Sequence, residues 1–187
     1  MAKDNRSHKD SVFTDLFYSD RDAKKNLLQL YNALYDEQED SENLIQLIRL
    51  DGTLFMDYKN DAAFTIGNRR IILFEHQSTV SENIPLRCLL YIARELESYL
   101  PTKVRYKRRR VPIPYPDFFV FYNGTDDAPA ESVLKLSGAY TISSDQPALE
   151  LKVRIININL AKNHKLLHKC PILMEYSRFI DVIRSYD

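Results

Sequence analysis

Glycine is scarce in this chain. Four occur in 187 residues, and none belongs to a Walker or dinucleotide-binding fingerprint, so a glycine-rich loop cradling phosphates is excluded. Cysteine is scarcer still. Cys88 and Cys170 lie far apart and outside any metal-spaced cluster. That speaks against a disulfide framework and for a reducing, cytoplasmic compartment. No apolar run approaches the ~20 residues of a membrane-spanning helix. The opening residues, MAKDNRSHKD, have no apolar core, so neither a membrane partner nor a secretory leader is expected. Net charge is missing too: 26 basic residues balance 26 acidic ones, so bulk charge selects no partner.

What is present suits one globular domain over 1–187. The hydrophobic share is 44% and the charged share 28%, ordinary values for a chain that buries a core. Charge is unevenly placed. DEQEDSE at 36–42 is acidic, and KVRYKRRR at 103–110 has six basic residues in eight. The latter is either a solvated loop or a phosphate-binding stretch.

Periodicity predicts a short helix over 10–19 with Val12, Phe13, Leu16 and Phe17 on one side. A second helix is predicted over 19–38, capped by Ser19 or Asp20. The run 43–50 is too short to decide between strand and helix. Strands are predicted at 61–66, 70–77, 117–124 and 148–160. Helices are predicted over 84–100 and 171–187. In the 84–100 helix the expected apolar face is Leu86, Leu89, Leu90, Ala93, Leu96 and Leu100, with Pro85 in the first turn. This order is mixed α/β with an antiparallel part.

RIILFEHQS at 70–78 contains the sharpest puzzle. A strand buried on both faces runs into Glu75, and a buried carboxylate is costly unless compensated. The preceding strand, DAAFTI, is joined to it by a short Gly/Asn turn, which signals a hairpin. If the loop is Gly67 to Arg69, Ile66 pairs with Arg70 and Asp61 lies opposite Glu75. A two-residue loop would make Asp61 a diagonal neighbour instead. Opposed carboxylates about 5 Å apart repel by about 3 kcal/mol at an effective dielectric near 20. Protonation, a basic neighbour such as Lys59, Arg69 or Arg70, or a hard divalent cation would relieve this. Gln77 shares the face of Glu75, and His76 points the other way.

Arg87 and Tyr91 are four apart on the next helix, so they share a face. They could meet a phosphate, or they could pack and pair with the carboxylates. Asn83 and Ser78 are weaker candidates.

The segment NDAAFTIGNRRIILFEHQSTVSENIPLRCLLYIARELESY resembles the signature region of the PD-(D/E)XK nuclease family transposases, or recombination-promoting nucleases. The likeness continues through PDFFVFYNG, LKLSGAY, LELKVRIININ and HKCPILMEYSRFI. It implies a restriction-endonuclease-like core, a mixed central β-sheet flanked by helices. It also implies Mg²⁺- or Mn²⁺-dependent hydrolysis of DNA phosphodiester bonds.

By this resemblance Asp61 and Glu75 would hold the metal, helped by the His76 backbone carbonyl and, through water, by Asp10. Gln77 stands where the wider superfamily has lysine; this E-x-Q form is common in the resembled family, and Gln77 would bond the attacking water or a phosphate oxygen. DNA contacts would come from Arg87, Tyr91, Lys103, Arg105, Lys107, Arg108, Arg109 and Arg110. The three-carboxylate pattern of retroviral integrases is absent, so strand transfer is not implied. Family members often add a helical C-terminal region, whereas this chain ends at Asp187 within a helical pattern; a homodimer is among the partners to be expected. The competing expectations are a nuclease-fold module that binds nucleic acid or protein without cutting, and a purely structural module with an ordinary ion-pair network.

Overall fold

The computed structural model describes residues 12–48 and 61–186, with the backbone alone for residues 61 and 62. Its centre is one six-stranded mixed sheet in the order β1-β2-β3-β4-β6-β5. The strands are β1 (Ile45–Ile48), β2 (Asp61–Ile66), β3 (Arg70–Gln77), β4 (Tyr115–Tyr122), β5 (Glu131–Lys135) and β6 (Lys152–Asn157). β1, β2 and β3 form an antiparallel meander. β3, β4 and β6 are parallel, and β5 closes the far edge antiparallel to β6.

Among the described residues five α-helices join them: α1 (Ala23–Tyr35), α2 (Ile84–Tyr99), the single turn α3 (Thr102–Arg105), α4 (Lys165–Lys169) and α5 (Pro171–Ser185). Helical structure also covers 12–19, where Asp15–Ser19 is a π-turn.

Side-chain alternation sorts the two faces. Ile72 and Phe74 of β3 and Phe119 and Phe121 of β4 pack with Phe13, Phe17, Leu27, Leu30, Leu173 and Ile180. That layer is built by residues 12–19, α1, α4 and α5. Ile71, Leu73, Val120, Val153 and Ile155 pack on the other face against Ile84, Cys88, Tyr91 and Ile92 of α2. The parallel pair β3–β4 is covered on both faces, which explains its unbroken apolar run. Both cysteines are buried and form no disulfide with each other, and no described helix is long and apolar enough to cross a membrane.

Several sequence expectations need correction. The buried face of α2 is Ile84, Cys88, Tyr91 and Ile92. Leu86 and Leu90 are 44% and 41% exposed, and Ala93 is exposed as well. Leu89 and Leu96 pack only partly against this core. The leucines form a helical stripe of their own, but β-branched and aromatic neighbours form a second stripe that the sheet selects. The helix expected over 19–38 starts at Ala23 with Asp22 at its cap position. Asp20 instead accepts the Asp22 N–H at 2.8 Å, one step earlier. Residues 45–48 are strand, because they pair with β2. β5 and α4 were not legible, since five residues are too few for either period to show.

Candidate active site

The hairpin adopts the three-residue loop. Ile66 pairs with Arg70, and the ladder runs to Asp61 opposite Glu75. Gly67 starts the turn at φ 51°, a left-handed conformation that costs glycine little.

Backbone bonds on the other side of β3 fix how close that last pair is. The carbonyls of Arg69 and Gln77 accept from Tyr115 N–H at 2.9 Å and Asn123 N–H at 3.0 Å, on the β4 side. Odd-numbered residues of β3 therefore turn their backbone groups toward β4, and even-numbered ones toward β2. Asp61 and Glu75 are thus a non-hydrogen-bonded pair, the type whose Cα atoms lie about 4.5 Å apart. By the same alternation the His76 carbonyl points to the β2 side, beyond Asp61. The Asp61 side chain, Asp10 and Lys59 lie outside the described residues.

Glu75 follows Ile71 and Leu73 onto the α2 face and is 9% exposed. Its Oε1 accepts from Gln77 Nε2 at 2.6 Å and from Arg87 Nη2 at 3.1 Å. Gln77 is itself oriented, because its Oε1 accepts the Ser81 N–H at 3.3 Å. The loop after β3 thus holds the amide, and the amide holds the carboxylate.

Gln77 donates one N–H to Glu75, and its amide carries a second. One expectation is corrected: among the described residues Arg87 pairs with Glu75, and Arg69 and Arg70 do not. Those two sit at the other end of β3, about 17 Å away at ~3.3 Å per residue. There Arg69 pairs with Glu37 and Glu39 and Arg70 with Asp117.

Tyr91 is buried between α2 and the sheet. Asn83 occupies the N-cap position of α2 without a side-chain cap bond. The Ser78 carbonyl packs against Gly124, where a Cβ would stand 2.1 Å from it. That contact is the physical reason for glycine after FYN.

His76 faces the other layer. Its ring stacks on Phe13 at 4.8 Å, and its Nε2 lies 2.9 Å from the Tyr176 hydroxyl. This is a structural position for the side chain. Next to it Asn123 donates to the Tyr176 hydroxyl at 3.5 Å, while its Oδ1 is buried without a hydrogen-bond partner. An Asn-Gly pair at a strand end reads as a turn signal, so this burial was not legible from the residues alone.

The basic stretch lies at the opposite end of the sheet from Glu75. α2 runs about 24 Å back from the site at 1.5 Å per residue, and its last turn meets the hairpin loop through Tyr99 and Asn68 at 3.4 Å. Arg105 is tied to Glu97 at 3.1 Å and to the Leu100 carbonyl. Lys103, Lys107, Arg108, Arg109 and Arg110 are exposed.

The donor chemistry suits a hard cation: a carboxylate, a second carboxyl-bearing residue at the paired position, and a backbone carbonyl directed toward the same edge. Among the described residues no three histidine, cysteine or carboxylate side chains converge on one point. The fit therefore rests on Glu75, the register position of Asp61 and main-chain oxygen. Compared with family models, curated proteins and solved structures, the chain matches none of them.

Proposed function

We propose that this protein is a divalent-metal-dependent deoxyribonuclease with a restriction-endonuclease-like core, acting in the cytoplasm on DNA. The resemblance to the recombination-promoting nucleases is part of this reading. The observation that carries it is a nearly buried Glu75 at the end of a core strand, paired in register with Asp61. Two acidic residues paired in register at the end of a core strand repel each other, and a hard dication between them relieves that repulsion.

Asp61, Glu75 and the His76 carbonyl are the residues that would hold Mg²⁺ or Mn²⁺. When bound, the cation supplies Lewis-acid polarisation of the phosphodiester and a water of lowered pKa. Gln77 positions the Glu75 carboxylate. With Glu75 compensated by another cation, Arg87 would be free to pair with a phosphate oxygen.

Purified protein is expected to convert supercoiled plasmid to nicked and linear forms with Mg²⁺ or Mn²⁺, and EDTA is expected to stop it. Cleavage that persists in EDTA would defeat the metal mechanism.

A second reading is a nuclease-fold module that binds without cutting. The Glu75–Arg87 ion pair favours it, because the carboxylate is already compensated without a metal. Absence of cleavage with any divalent ion selects this reading.

A further inference from the structure

We propose that the surface from Lys103 to Tyr115 is an exosite for single-stranded nucleic acid, separate from Glu75 and about 20 Å from it. This deepens the nuclease reading by giving its substrate a second contact.

The first observation is charge pairing. The chain has equal numbers of acidic and basic residues, and many of its cations are spoken for. Arg69, Arg70, Arg87, Arg105, Arg154, Lys162 and Lys169 each meet a carboxylate. Lys103, Lys107, Arg108, Arg109 and Arg110 are exposed, and none of them has a carboxylate partner among the described residues. Five unpaired cations within eight residues make a local field that attracts a polyanion.

The second observation is aromatic. Tyr106 is 83% exposed and Tyr115 62% exposed, one inside the basic stretch and one just after it. Exposed rings among phosphate-binding cations form the stacking platform that unpaired bases use and that a closed duplex cannot.

The third is shape. Tyr115 lines an open cleft of about 440 Å³ with Tyr31, Glu37, Arg69, Arg70 and Asp117. Arg70 lies over the Tyr35 ring at 4.1 Å and near the Tyr115 ring at 5.5 Å. A base entering the cleft would find a ring, a guanidinium and carboxylate acceptors. A membrane surface is a poorer match. Residues 106–114 are irregular and present no helical apolar face to bury among lipids.

The test is fluorescence anisotropy of a labelled oligo-dT 20-mer and of a blunt duplex of equal length, both in EDTA so that nothing is cut. Wild type should bind the single strand more tightly. Changing Arg108, Arg109 and Arg110 together to Ala should weaken both ligands at least tenfold. It should also reduce the slope of log affinity against log salt on the single strand by about 2. Tyr106→Ala and Tyr115→Ala should each weaken the single strand about tenfold while leaving the duplex nearly unchanged. Melting temperatures near wild type show that the variants are folded.

Unchanged binding by the triple variant, or equal loss on both ligands for the tyrosine variants, overturns the proposal. Competition by phosphatidylserine vesicles stronger than by unlabelled oligo-dT also overturns it. Retained binding with no plasmid nicking under any divalent ion removes the nuclease reading and leaves the exosite standing.

Discussion

Arg87 Nη2 lies 3.1 Å from Glu75 Oε1 across the gap between α2 and the end of β3. The two side chains are only 24% and 11% exposed, so the pair is poorly screened. It stabilises the metal-free fold, and it repels any second cation approaching the same oxygen. Arg87→Met should therefore act in opposite directions on stability and on metal affinity. In EDTA it should lower stability by about 2 kcal/mol, the scale of a lost charge-assisted bond. Titration with Mn²⁺ by calorimetry should show at least tenfold tighter binding, about 1.4 kcal/mol. Unchanged or weaker binding would mean that Arg87 orients Glu75 for the metal rather than standing in for it.

The carboxylate pair should show a crossing of a different kind. Asp61→Asn removes one of two acidic residues facing each other across a close strand pair, so in EDTA the variant should melt no lower than wild type. An amide is a poor ligand for a hard dication. For a Kd of roughly 1 mM and about 10 mM Mg²⁺, wild type gains about 1.4 kcal/mol from native-state binding. That corresponds to roughly 3–6 °C in a chain of this size. Asp61→Asn should lose most of this gain and all cleavage. A variant melting well below wild type in EDTA would make Asp61 a structural partner instead.

Gln77 bridges the Ser81 N–H and the Glu75 carboxylate. Gln77→Ala should lower the cleavage rate by more than tenfold, about 1.4 kcal/mol of barrier. Gln77→Lys should retain part of the activity, because an ammonium can also donate to Glu75. Single-turnover rates on one plasmid preparation decide this; equal rates for wild type and Ala would make Gln77 a bystander.

Gly124 has no room for a methyl group. Its Cβ would stand 2.1 Å from the Ser78 carbonyl oxygen and 2.3 Å from the Tyr122 hydroxyl. Gly124→Ala should cost roughly 1–3 kcal/mol, the usual range for overpacking. Because Ser78 directly follows Gln77, the displacement should reach the site, and cleavage should fall with stability. Thermal melts and nicking rates measured side by side check this; an unchanged melting temperature would show that the contact relaxes freely.

Glu131 offers a pH test remote from Glu75. Burial works to raise its carboxyl pKa, but hydrogen bonds from His164 and Arg154 outweigh this and hold it below its ordinary value. A depressed pKa contributes stability above the unfolded value of 4.5, and that contribution is lost as pH falls through the lower folded value. Glu131→Gln should therefore melt below wild type at neutral pH, and the gap should close under strongly acidic conditions. A gap that stays constant with pH would show that shape, not charge, explains Glu131.

The part of this fold legible in the sequence is the part carried by long patterns and turn chemistry. Gly67 and Asn68 between two apolar runs sufficed for the hairpin, but pairing arithmetic left two registers, and only the three-residue loop sets Asp61 opposite Glu75. Pro85 near the first turn and the length of 84–100 sufficed for α2. The face that α2 buries did not follow, because two apolar stripes compete on it and only the sheet decides between them. The partner of Glu75 was harder still. Arg69 and Arg70 are nearer in sequence, but strand geometry carries them away from Glu75 while the loop after β3 brings Arg87 back. The ends of α2 likewise separate KVRYKRRR from the carboxylates, a distance that composition alone does not contain.

Surface turns are usually where a chain tolerates inserted or deleted residues. The turn Gly67–Arg69 is an exception with reach. It works as a ruler whose reading is taken about 17 Å away, at the far end of the two strands. Removing or adding one residue there would slip β2 by one position against β3 and send alternate side chains to the opposite face. Asp61 and Glu75 would no longer be register partners, though no residue of the site had been changed. Turn length in this hairpin is therefore a chemical parameter of the protein as much as a structural one.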